Sequence, residues 1–210
     1  MKYTHLIWDF NGTILDDVDI GIEAANVLLE RRGLPLMNTR EEYQRHFRFP
    51  IIEYYKDVGF DFEKESFDDV AVEWVTEYLA RLPKATVHSG VRQTMERVKE
   101  LGIPQILLSA TKLEMLKKQV EDLGLSSQFS AIYGLDTIHA TSKKALAEQL
   151  RAIYPEGKFL FLGDTDHDLE VAHAAGGDCV IFLGGHQSPE QLKTLGCVVI
   201  DKISDILLYL

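Results

Sequence analysis

Residues 6–13 read LIWDFNGT, a short apolar run that ends at Asp9 and continues into a turn with Asn11 and Gly12. A run of apolar residues without alternation is typical of a strand buried on both faces, and Asn and Gly favour the turn that follows. A carboxylate at such a strand end, beside the free backbone N–H groups of a turn, can serve as a nucleophile or a metal ligand. The same residues could also form only a strand end with a structural turn.

Short apolar runs of the same kind recur along the chain, at residues 105–108, 131–133, 159–162, 179–183 and 198–200. Between them, apolar residues at helical spacing predict helices at residues 90–101, 113–123 and 142–153. Strands that alternate with helices through short links predict an α/β fold, a doubly wound (Rossmann-like) parallel sheet with helices on both faces. Ligands of such folds bind at the carboxyl ends of the strands.

Residues 16–84 interrupt this alternation, because they contain helical patterns and no buried strand. The helical patterns include residues 19–32, 39–48 and 67–82. We therefore predict a core formed by residues 1–15 and 85–210 and an inserted α-helical cap formed by residues 16–84. Most aromatic residues of the insertion should form its own small core, and the others should face a ligand; they are Phe47, Phe49, Tyr54, Tyr55, Phe60, Phe62, Phe67, Trp74 and Tyr78.

The composition excludes several classes of protein. Hydrophobic residues make up 46% of the 210 residues and charged residues 26%, as in globular rather than disordered chains. A net charge of −11, from 22 Lys and Arg against 33 Asp and Glu, disfavours binding to nucleic acid. No apolar run approaches the roughly 18 residues of a membrane span, and the N-terminus does not resemble a secretory signal, so we expect a cytoplasmic protein.

The cysteines and histidines do not suggest a metal-ligand set. Cys179 and Cys197 lie in or beside apolar runs, where buried thiols are common. The histidines are scattered, and we expect structural or surface roles for each of them: His5, His46, His88, His139, His167, His173 and His186.

Two further segments place polar residues where they can bind an anion. Ser109 and Ala110 follow the run 105–108, and a hydroxyl with the amides of a helix start binds phosphate, although Ser109 could equally cap a helix. Lys143 and Lys144 open a predicted helix, where the helix dipole disfavours a cation unless an anion lies nearby. Both lysines could also be solvated surface residues.

Three carboxylates, Asp164, Asp166 and Asp168, crowd the end of the predicted strand 159–162. Asp166 and Asp168 could simply complement the dipole of a following helix, whereas Asp164 lies too early for that role. Together with Asp9 at a neighbouring strand end, these groups would repel one another unless a cation lay between them. Hard oxygen ligands favour Mg²⁺.

In their order, Asp-x-Asn-Gly-Thr from Asp9, Ser109, Lys143 and Gly-Asp-x-x-x-Asp from Gly163 resemble the haloacid dehalogenase-like hydrolase superfamily. They resemble specifically its phosphoglycolate-phosphatase-like branch with a helical cap. The helical insertion directly after the first motif and the tail AHAAGGDCVIFL (172–183) are similar to the same branch, so the match spans almost the whole chain. The resemblance implies a Mg²⁺-dependent phosphatase that acts on a small phosphorylated metabolite similar to phosphoglycolate.

The resemblance also implies roles for the residues of the acidic motifs. Asp9 would be the nucleophile that forms an aspartyl phosphate. Mg²⁺ would be held by Asp9, by the backbone carbonyl of Asn11 and by Asp164. Asp168 would support this site through water or by orienting Lys143.

The remaining motifs would bind the phosphoryl group. Ser109 and the backbone amide of Ala110 would bind its oxygens, and Lys143 would neutralise the charge shared between the phosphoryl group and Asp9. Lys144 would take this role in a register shifted by one residue. The cap would close over the site and select the leaving group.

Asn11 departs from the pattern of the branch, which has a second aspartate there as general acid and base. A carboxamide cannot transfer a proton, and the loss of this help would lower the rate by about 10²–10⁴. One interpretation is a phosphatase that is slow, uses good leaving groups, or takes a proton from Asp16, Asp17 or the cap. A second is phosphonoacetaldehyde-hydrolase-like cleavage of a C–P bond through a Schiff base on Lys56, and a third is binding of a phosphorylated ligand without turnover.

A basic and aromatic patch in the insertion is the candidate for substrate selection. Arg45, His46 and Arg48 lie next to Phe47 and Phe49 in an otherwise acidic chain. An arginine there could clamp a substrate carboxylate with two hydrogen bonds, or the three residues could form a solvated helix face.

Overall fold

The computed structural model describes residues 2–135 and 142–210. Within these ranges the strands are β1 (His5–Trp8), β2 (Leu15–Asp16), β3 (Thr86–Val87), β4 (Gln105–Lys112), β5 (Ala131–Leu135), β6 (Phe159–Gly163), β7 (Asp178–Phe182) and β8 (Val198–Ile200). The α-helices are α1 (Val18–Arg31), α2 (Arg40–His46), α3 (Ile51–Asp57), α4 (Phe67–Arg81), α5 (Val91–Glu100), α6 (Leu113–Asp122), α7 (Lys143–Ile153), α8 (Asp166–Ala174) and α9 (Pro189–Leu192). Each of these helices is too short or too polar to cross a membrane.

A parallel sheet in the order β5-β4-β1-β6-β7-β8 forms the centre of the core and confirms the predicted doubly wound α/β fold. The order of the strands reverses beside β1, with β4 and β5 on one side and β6 to β8 on the other. Such a reversal opens a crevice at the carboxyl ends of the strands.

Side chains of β1 alternate between two apolar cores. Leu6 and Trp8 belong to a core with residues of α5 and α6, whereas Ile7 belongs to a core with residues of α7 and α8. Successive strand residues point to opposite faces, so an uninterrupted apolar strand needs helices on both faces of the sheet. Cys179 is buried as predicted, and Cys197 is half-buried; both are free thiols.

The insertion folds as helices α1 to α4, with an apolar core of its own that includes Val18, Leu28, Tyr54, Tyr55 and Val70. β2 and β3 pair antiparallel where the chain leaves and re-enters the core. The helix predicted at 39–48 ends two residues earlier, at His46. The cap boundaries at residues 16 and 84 stay a prediction.

β4 continues beyond the predicted run 105–108. The register of its pairing with β5 shifts between Leu108 and Lys112, so the chain stays in the sheet through Ser109 and α6 begins only at Leu113. The expectation that the amides after Ser109 open a helix directly was therefore wrong.

The buried hydrogen bond of Trp8 allows a test of this core. Trp8 is fully buried, and its Nε1 donates a hydrogen bond to Oε1 of buried Gln105 at 3.0 Å. We expect Trp8→Phe to lower the free energy of unfolding by about 2–3 kcal/mol, because it leaves a buried oxygen without a donor and a small void. Urea unfolding followed by circular dichroism measures the change, and a loss below about 0.5 kcal/mol would contradict the expectation.

Candidate active site

Three carboxylates meet at the carboxyl edge of the sheet. Asp9 follows β1, Asp164 follows the neighbouring strand β6, and Asp168 lies in the first turn of α8. One carboxylate oxygen of each residue lies within 4.8 Å of the others, and Asp164 and Asp168 are buried. Carboxylates this close in a buried site repel one another unless cations balance them.

Lys143 supplies one positive charge to this cluster. It is buried as the first residue of α7, and its Nζ donates hydrogen bonds to the carboxylates of Asp9 and Asp168. Burial alone would lower the pKa of Lys143, but the two carboxylates outweigh burial and raise that pKa above its usual range. Lys144 is exposed, so the geometry favours Lys143 as the lysine of the site.

Asp168 is held so that it orients the lysine. One of its oxygens accepts the bond from Lys143, and the other accepts bonds from the backbone N–H groups of Asp164 and Thr165 at 3.0 Å and from the Thr165 hydroxyl at 2.8 Å. Burial would raise the pKa of Asp168, but the lysine and these hydrogen bonds hold it below its usual value. Gly163 permits the contact, because a Cβ there would lie 2.2 Å from Cγ of Asp168.

Asp164 is fixed at both carboxylate oxygens. Oδ1 accepts a hydrogen bond from the Thr13 hydroxyl at 3.0 Å, and Oδ2 accepts one from the backbone N–H of His186 at 2.7 Å. Burial raises the pKa of Asp164 to about 8, and the neighbouring carboxylates add to this effect. Burial likewise raises the pKa of Asp9 to about 6, against the opposing effect of the lysine.

The carboxylate cluster fits a divalent cation. Its donors are hard oxygen atoms, and three carboxylates share the single positive charge of Lys143. Among residues 2–135 and 142–210, no other group of three or more acidic, histidine or cysteine side chains is close enough to share an ion. The cluster could therefore hold a metal ion.

Ser109 and Ala110 reach the same site from β4. They line one cavity together with Asp9, Lys143 and Thr111. The buried Ser109 hydroxyl accepts a hydrogen bond from the backbone N–H of Thr111 and donates one to its hydroxyl, both at 3.1 Å. The structure thus brings the predicted phosphate-binding residues beside the predicted nucleophile and lysine, and their roles stay a prediction.

Both the nitrogen and the oxygen of the Asn11 side-chain amide form hydrogen bonds. Nδ2 donates hydrogen bonds to Asp17 at 2.8 Å and to the hydroxyl of Tyr78 at 2.9 Å, and Oδ1 accepts one from the hydroxyl of Thr111 at 3.0 Å. Tyr78 lies in α4, so this amide connects the first motif directly to the cap.

A buried ion pair lies behind Asn11. Oδ1 of Asp17 is 3.2 Å from Nε2 of His186, and the Nδ1 atom of His186 is 2.8 Å from the hydroxyl of Tyr43 in α2. Burial would lower the pKa of His186, but Asp17 raises it to about 9. Burial would raise the pKa of Asp17, but His186, Tyr78 and Asn11 hold it below its usual value. Both members of the pair are therefore charged at neutral pH.

Sequence reasoning did not assign His186 or Tyr43 to the site, and it named Tyr78 only among the aromatic residues that would form the core of the insertion or face a ligand. The Gly184-Gly185 pair after β7 was a local signal for His186, because it marks a turn at the same carboxyl edge of the sheet. Among the other histidines, His139 lies outside the described residues.

One cavity of about 590 Å³ lies between the core and the cap. Core residues contribute its polar side, and cap residues contribute most of its apolar side. Its wall includes Asp9, Asn11, Asp17, Tyr43, Phe47, Phe49, Ile51, Tyr54, Tyr55, Trp74, Val75, Tyr78, Leu79, Ser109, Ala110, Thr111, Lys112, Met115, Lys143, Asp164, Thr165, His167, Asp168 and His186.

Arg45, His46 and Arg48 lie outside this cavity wall. Arg48 forms an ion pair with Asp57, and Nε of Arg45 donates a hydrogen bond to the backbone carbonyl of Glu41 at 3.2 Å. Their predicted role as a clamp for a substrate carboxylate gains no support from this placement.

Lys56 and Asp16 also lie outside the cavity wall. Lys56 is exposed and donates a hydrogen bond to Glu53 at 2.8 Å, so it lacks the buried position that favours a Schiff-base lysine. Asp16 pairs with Arg40 at 3.3 Å. Of the two acids predicted as alternative proton donors, only Asp17 lines the cavity.

Comparison with known proteins agrees with this architecture. A family model described as haloacid dehalogenase-like hydrolase matches residues 6–182, and the chain belongs to this family. It is 27% identical to a phosphoglycolate phosphatase of Chromobacterium violaceum, over 95% of this chain and 92% of the relative. It is 23% identical to a phosphoglycolate phosphatase of Rhodobacter capsulatus, over 87% of this chain and 85% of the relative.

The fold is similar to that of solved structures. A haloacid dehalogenase-like family hydrolase from Streptococcus pneumoniae has a TM-score of 0.83 at 18% identity, and the match covers 99% of this chain and 98% of that chain. This similarity confirms the predicted fold, and the family match together with the phosphoglycolate phosphatase relatives confirms the predicted superfamily and branch.

Neighbouring lysines provide a matched test of the buried charge cluster. Lys143→Met leaves Asp9 and Asp168 without their ammonium partner, and we expect the free energy of unfolding to fall by about 3–5 kcal/mol. Lys144→Met changes an exposed side chain and should alter it by less than about 0.5 kcal/mol. Urea unfolding of both variants at neutral pH, without divalent cations, measures the difference. Equal losses in the two variants would contradict the account.

Proposed function

We propose that the protein is a phosphatase that hydrolyses a small phosphate monoester, with Asp9 as the nucleophile. The observation that carries the proposal is the meeting of Asp9, Lys143 and Ser109 on the wall of one cavity, next to the acidic cluster. The names of the relatives, phosphoglycolate phosphatases, support the same reaction class.

In this proposal Asp9 attacks the phosphorus atom. The ammonium of Lys143 opposes the effect of burial on the pKa of Asp9 and so favours its carboxylate form, which is the nucleophile. The bond from phosphorus to the leaving group breaks, and water then hydrolyses the aspartyl phosphate.

Lys143, the Ser109 hydroxyl and the backbone amide of Ala110 bind the phosphoryl oxygens. Donors held in place before the reaction stabilise the charge of the transition state without reorganising. Asp168 is a positioning residue in this scheme, because it acts through the hydrogen bond to Lys143.

Mg²⁺ is the cation that we assign to the carboxylate cluster. Asp9, Asp164 and the backbone carbonyl of Asn11 would hold it, and when bound it neutralises charge on the transferring phosphoryl group.

Removal of the nucleophile tests the reaction. Asp9→Asn keeps the size of the side chain, and we expect release of inorganic phosphate from an activated aryl phosphate with Mg²⁺ to fall by at least about 10³-fold. Asp122→Asn, at an exposed position at the end of α6 and outside the cavity wall, is the matched control and should keep wild-type rates. Undiminished turnover by a folded Asp9→Asn variant would contradict the role of Asp9. A wild type that binds phosphate but never releases it from an ester would favour the non-catalytic binding protein.

Thermal unfolding tests the metal site without relying on activity. Saturating Mg²⁺ should raise the melting temperature of the wild type, since a cation at 100 times its Kd stabilises the folded state by about 2.7 kcal/mol. Asp164→Asn should abolish most of this shift, and Glu170→Gln, an exposed change on α8, should keep it. An equal shift in both variants would place the cation elsewhere.

A further inference from the structure

Much of the cavity is not used by the proposed attack of Asp9. Its volume of about 590 Å³ is typical of sites for molecules much larger than a phosphate group. Away from Asp9, its wall contains side chains without any polar atom, including Phe47, Ile51, Val75 and Leu79.

Two of these apolar side chains are exposed. Val75 is 42% exposed and Leu79 is 38% exposed, and they lie one helical turn apart on the same face of α4. Next to them on the wall, the rings of Trp74 and Tyr78 stack with their centroids 4.9 Å apart. An apolar concave wall that no side chain covers is suited to an apolar part of a ligand.

The wall offers little to a negatively charged leaving group. Lys143 is already bonded to two carboxylates, and His186 is held in its buried ion pair. The other basic residues of the wall within the described ranges are Lys112, which is exposed, and His167, whose Nδ1 lies 3.2 Å from Glu170. A glycolate carboxylate would therefore enter a mostly apolar space beside acidic groups, with the exposed and solvated ammonium of Lys112 as its available cation.

The groups around Asn11 are poorly suited to protonate a leaving oxygen. Asp17 accepts hydrogen bonds at both oxygens, and both ring nitrogens of His186 already face partners, Asp17 and Tyr43. The hydroxyl of Tyr78 donates its proton in a hydrogen bond to Asp17 at 2.5 Å. The leaving oxygen must then depart as an anion. Phenols ionise with a pKa of about 10, whereas aliphatic alcohols resemble water, at about 15.7.

We propose that the substrate is a small aryl phosphate, the phosphate ester of a phenolic compound; this inference rests on the proposed phosphatase function. The aromatic ring lies against Trp74, Val75 and Leu79, with the phosphoryl group at Asp9. The apolar wall binds the ring, and the phenolic oxygen leaves without a general acid.

The reaction balances without a further reactant. A carboxylate oxygen of Asp9 bonds to phosphorus as the bond from phosphorus to the aryl oxygen breaks, and the phenolate leaves with the electron pair and takes a proton from water. Water then attacks phosphorus, the bond to Asp9 breaks, and the proton of the attacking water passes to solvent. The products are the phenol and inorganic phosphate.

A substrate panel tests the proposal. We would measure kcat/KM with Mg²⁺ for 1-naphthyl phosphate, phenyl phosphate, acetyl phosphate and phosphoglycolate. The account predicts that both aryl esters exceed phosphoglycolate by at least about 100-fold and that naphthyl exceeds phenyl, because burial of an apolar ring is worth roughly 10- to 100-fold in binding. Phosphoglycolate at or above the aryl esters would overturn it.

Two valines of α4 provide a test variant on the cavity wall and a matched control away from it. Val75 lines the cavity, whereas Val72, 66% exposed on the same helix, does not. Val75→Asp should lower kcat/KM for naphthyl phosphate at least about tenfold more than it lowers kcat/KM for acetyl phosphate, which is activated but has no ring. Val72→Asp should leave both substrates within about twofold. Equal effects of Val75→Asp on the two substrates would overturn the proposed ring site.

The dependence of the rate on the pKa of the leaving group tests whether the site lacks a general acid. With substituted phenyl phosphates, the wild-type kcat/KM should fall steeply as the pKa of the phenol rises, because the charge on the leaving oxygen is not neutralised when its bond to phosphorus breaks. Asn11→Asp should flatten this slope. A flat slope in the wild type would mean that another group supplies the proton, and it would overturn this part of the proposal.

A binding measurement keeps this inference separate from the proposed function. If none of the four substrates is hydrolysed, the phosphatase proposal fails, and the binding of phenylphosphonate decides the ring site. Trp74 lies on the wall and the other tryptophan is buried in the core, so ring binding should quench fluorescence. Quenching that is weaker in Val75→Asp but unchanged in Val72→Asp would support the ring site. The absence of quenching in the wild type, or quenching that Val75→Asp does not weaken, would overturn it.

Discussion

The hydrogen bonds of the Lys143 ammonium to Asp9 and Asp168 are the interaction on which the site depends. Buried carboxylates from two neighbouring strand ends cannot all stay ionised without positive charge between them. Lys143 is the first residue of α7. The carboxylate oxygen of Asp168 that does not bond to Lys143 is fixed by groups at the start of α8. The doubly wound sheet matters for function because it brings these separate segments to one edge.

The cap is tied to this edge by polar contacts as well as by the chain. Tyr78 of α4 and Tyr43 of α2 bond to Asp17 and His186, the buried ion pair behind Asn11. The amide of Asn11 is thus one part of a hydrogen-bonded connection between core and cap, at the position that the resemblance to this branch assigns to a general acid. The loss of that acid and the aromatic lining of the cavity both favour substrates whose leaving group is apolar and departs as an anion.

The fold and the acidic motifs could be predicted because their signals are local. An apolar run followed by Asp9, or by Asp164, predicts both the strand and the carboxylate at its end. The order of these runs along the chain implied the sheet that the structure confirms. The ion pair of Asp17 with His186 could not be found in this way, because 169 positions separate its members. The composition of the basic patch around Arg45 allowed either an anion site or a solvated helix face, and only tertiary packing shows that Arg48 pairs with Asp57.

The most direct test of the account is chemical trapping of the intermediate on Asp9. The protein would be mixed with an aryl phosphate and Mg²⁺, quenched in acid during the first turnovers, and treated with borohydride, which reduces an acyl phosphate to the alcohol. Mass spectrometry of the peptide that contains residue 9 then reads the modified position. The account predicts reduction at Asp9 that depends on substrate and accumulates, because Asn11 cannot assist the attack of water. Phosphate release at the same rate with Asp9 unmodified, or reduction at Asp164 or Asp168, would contradict it.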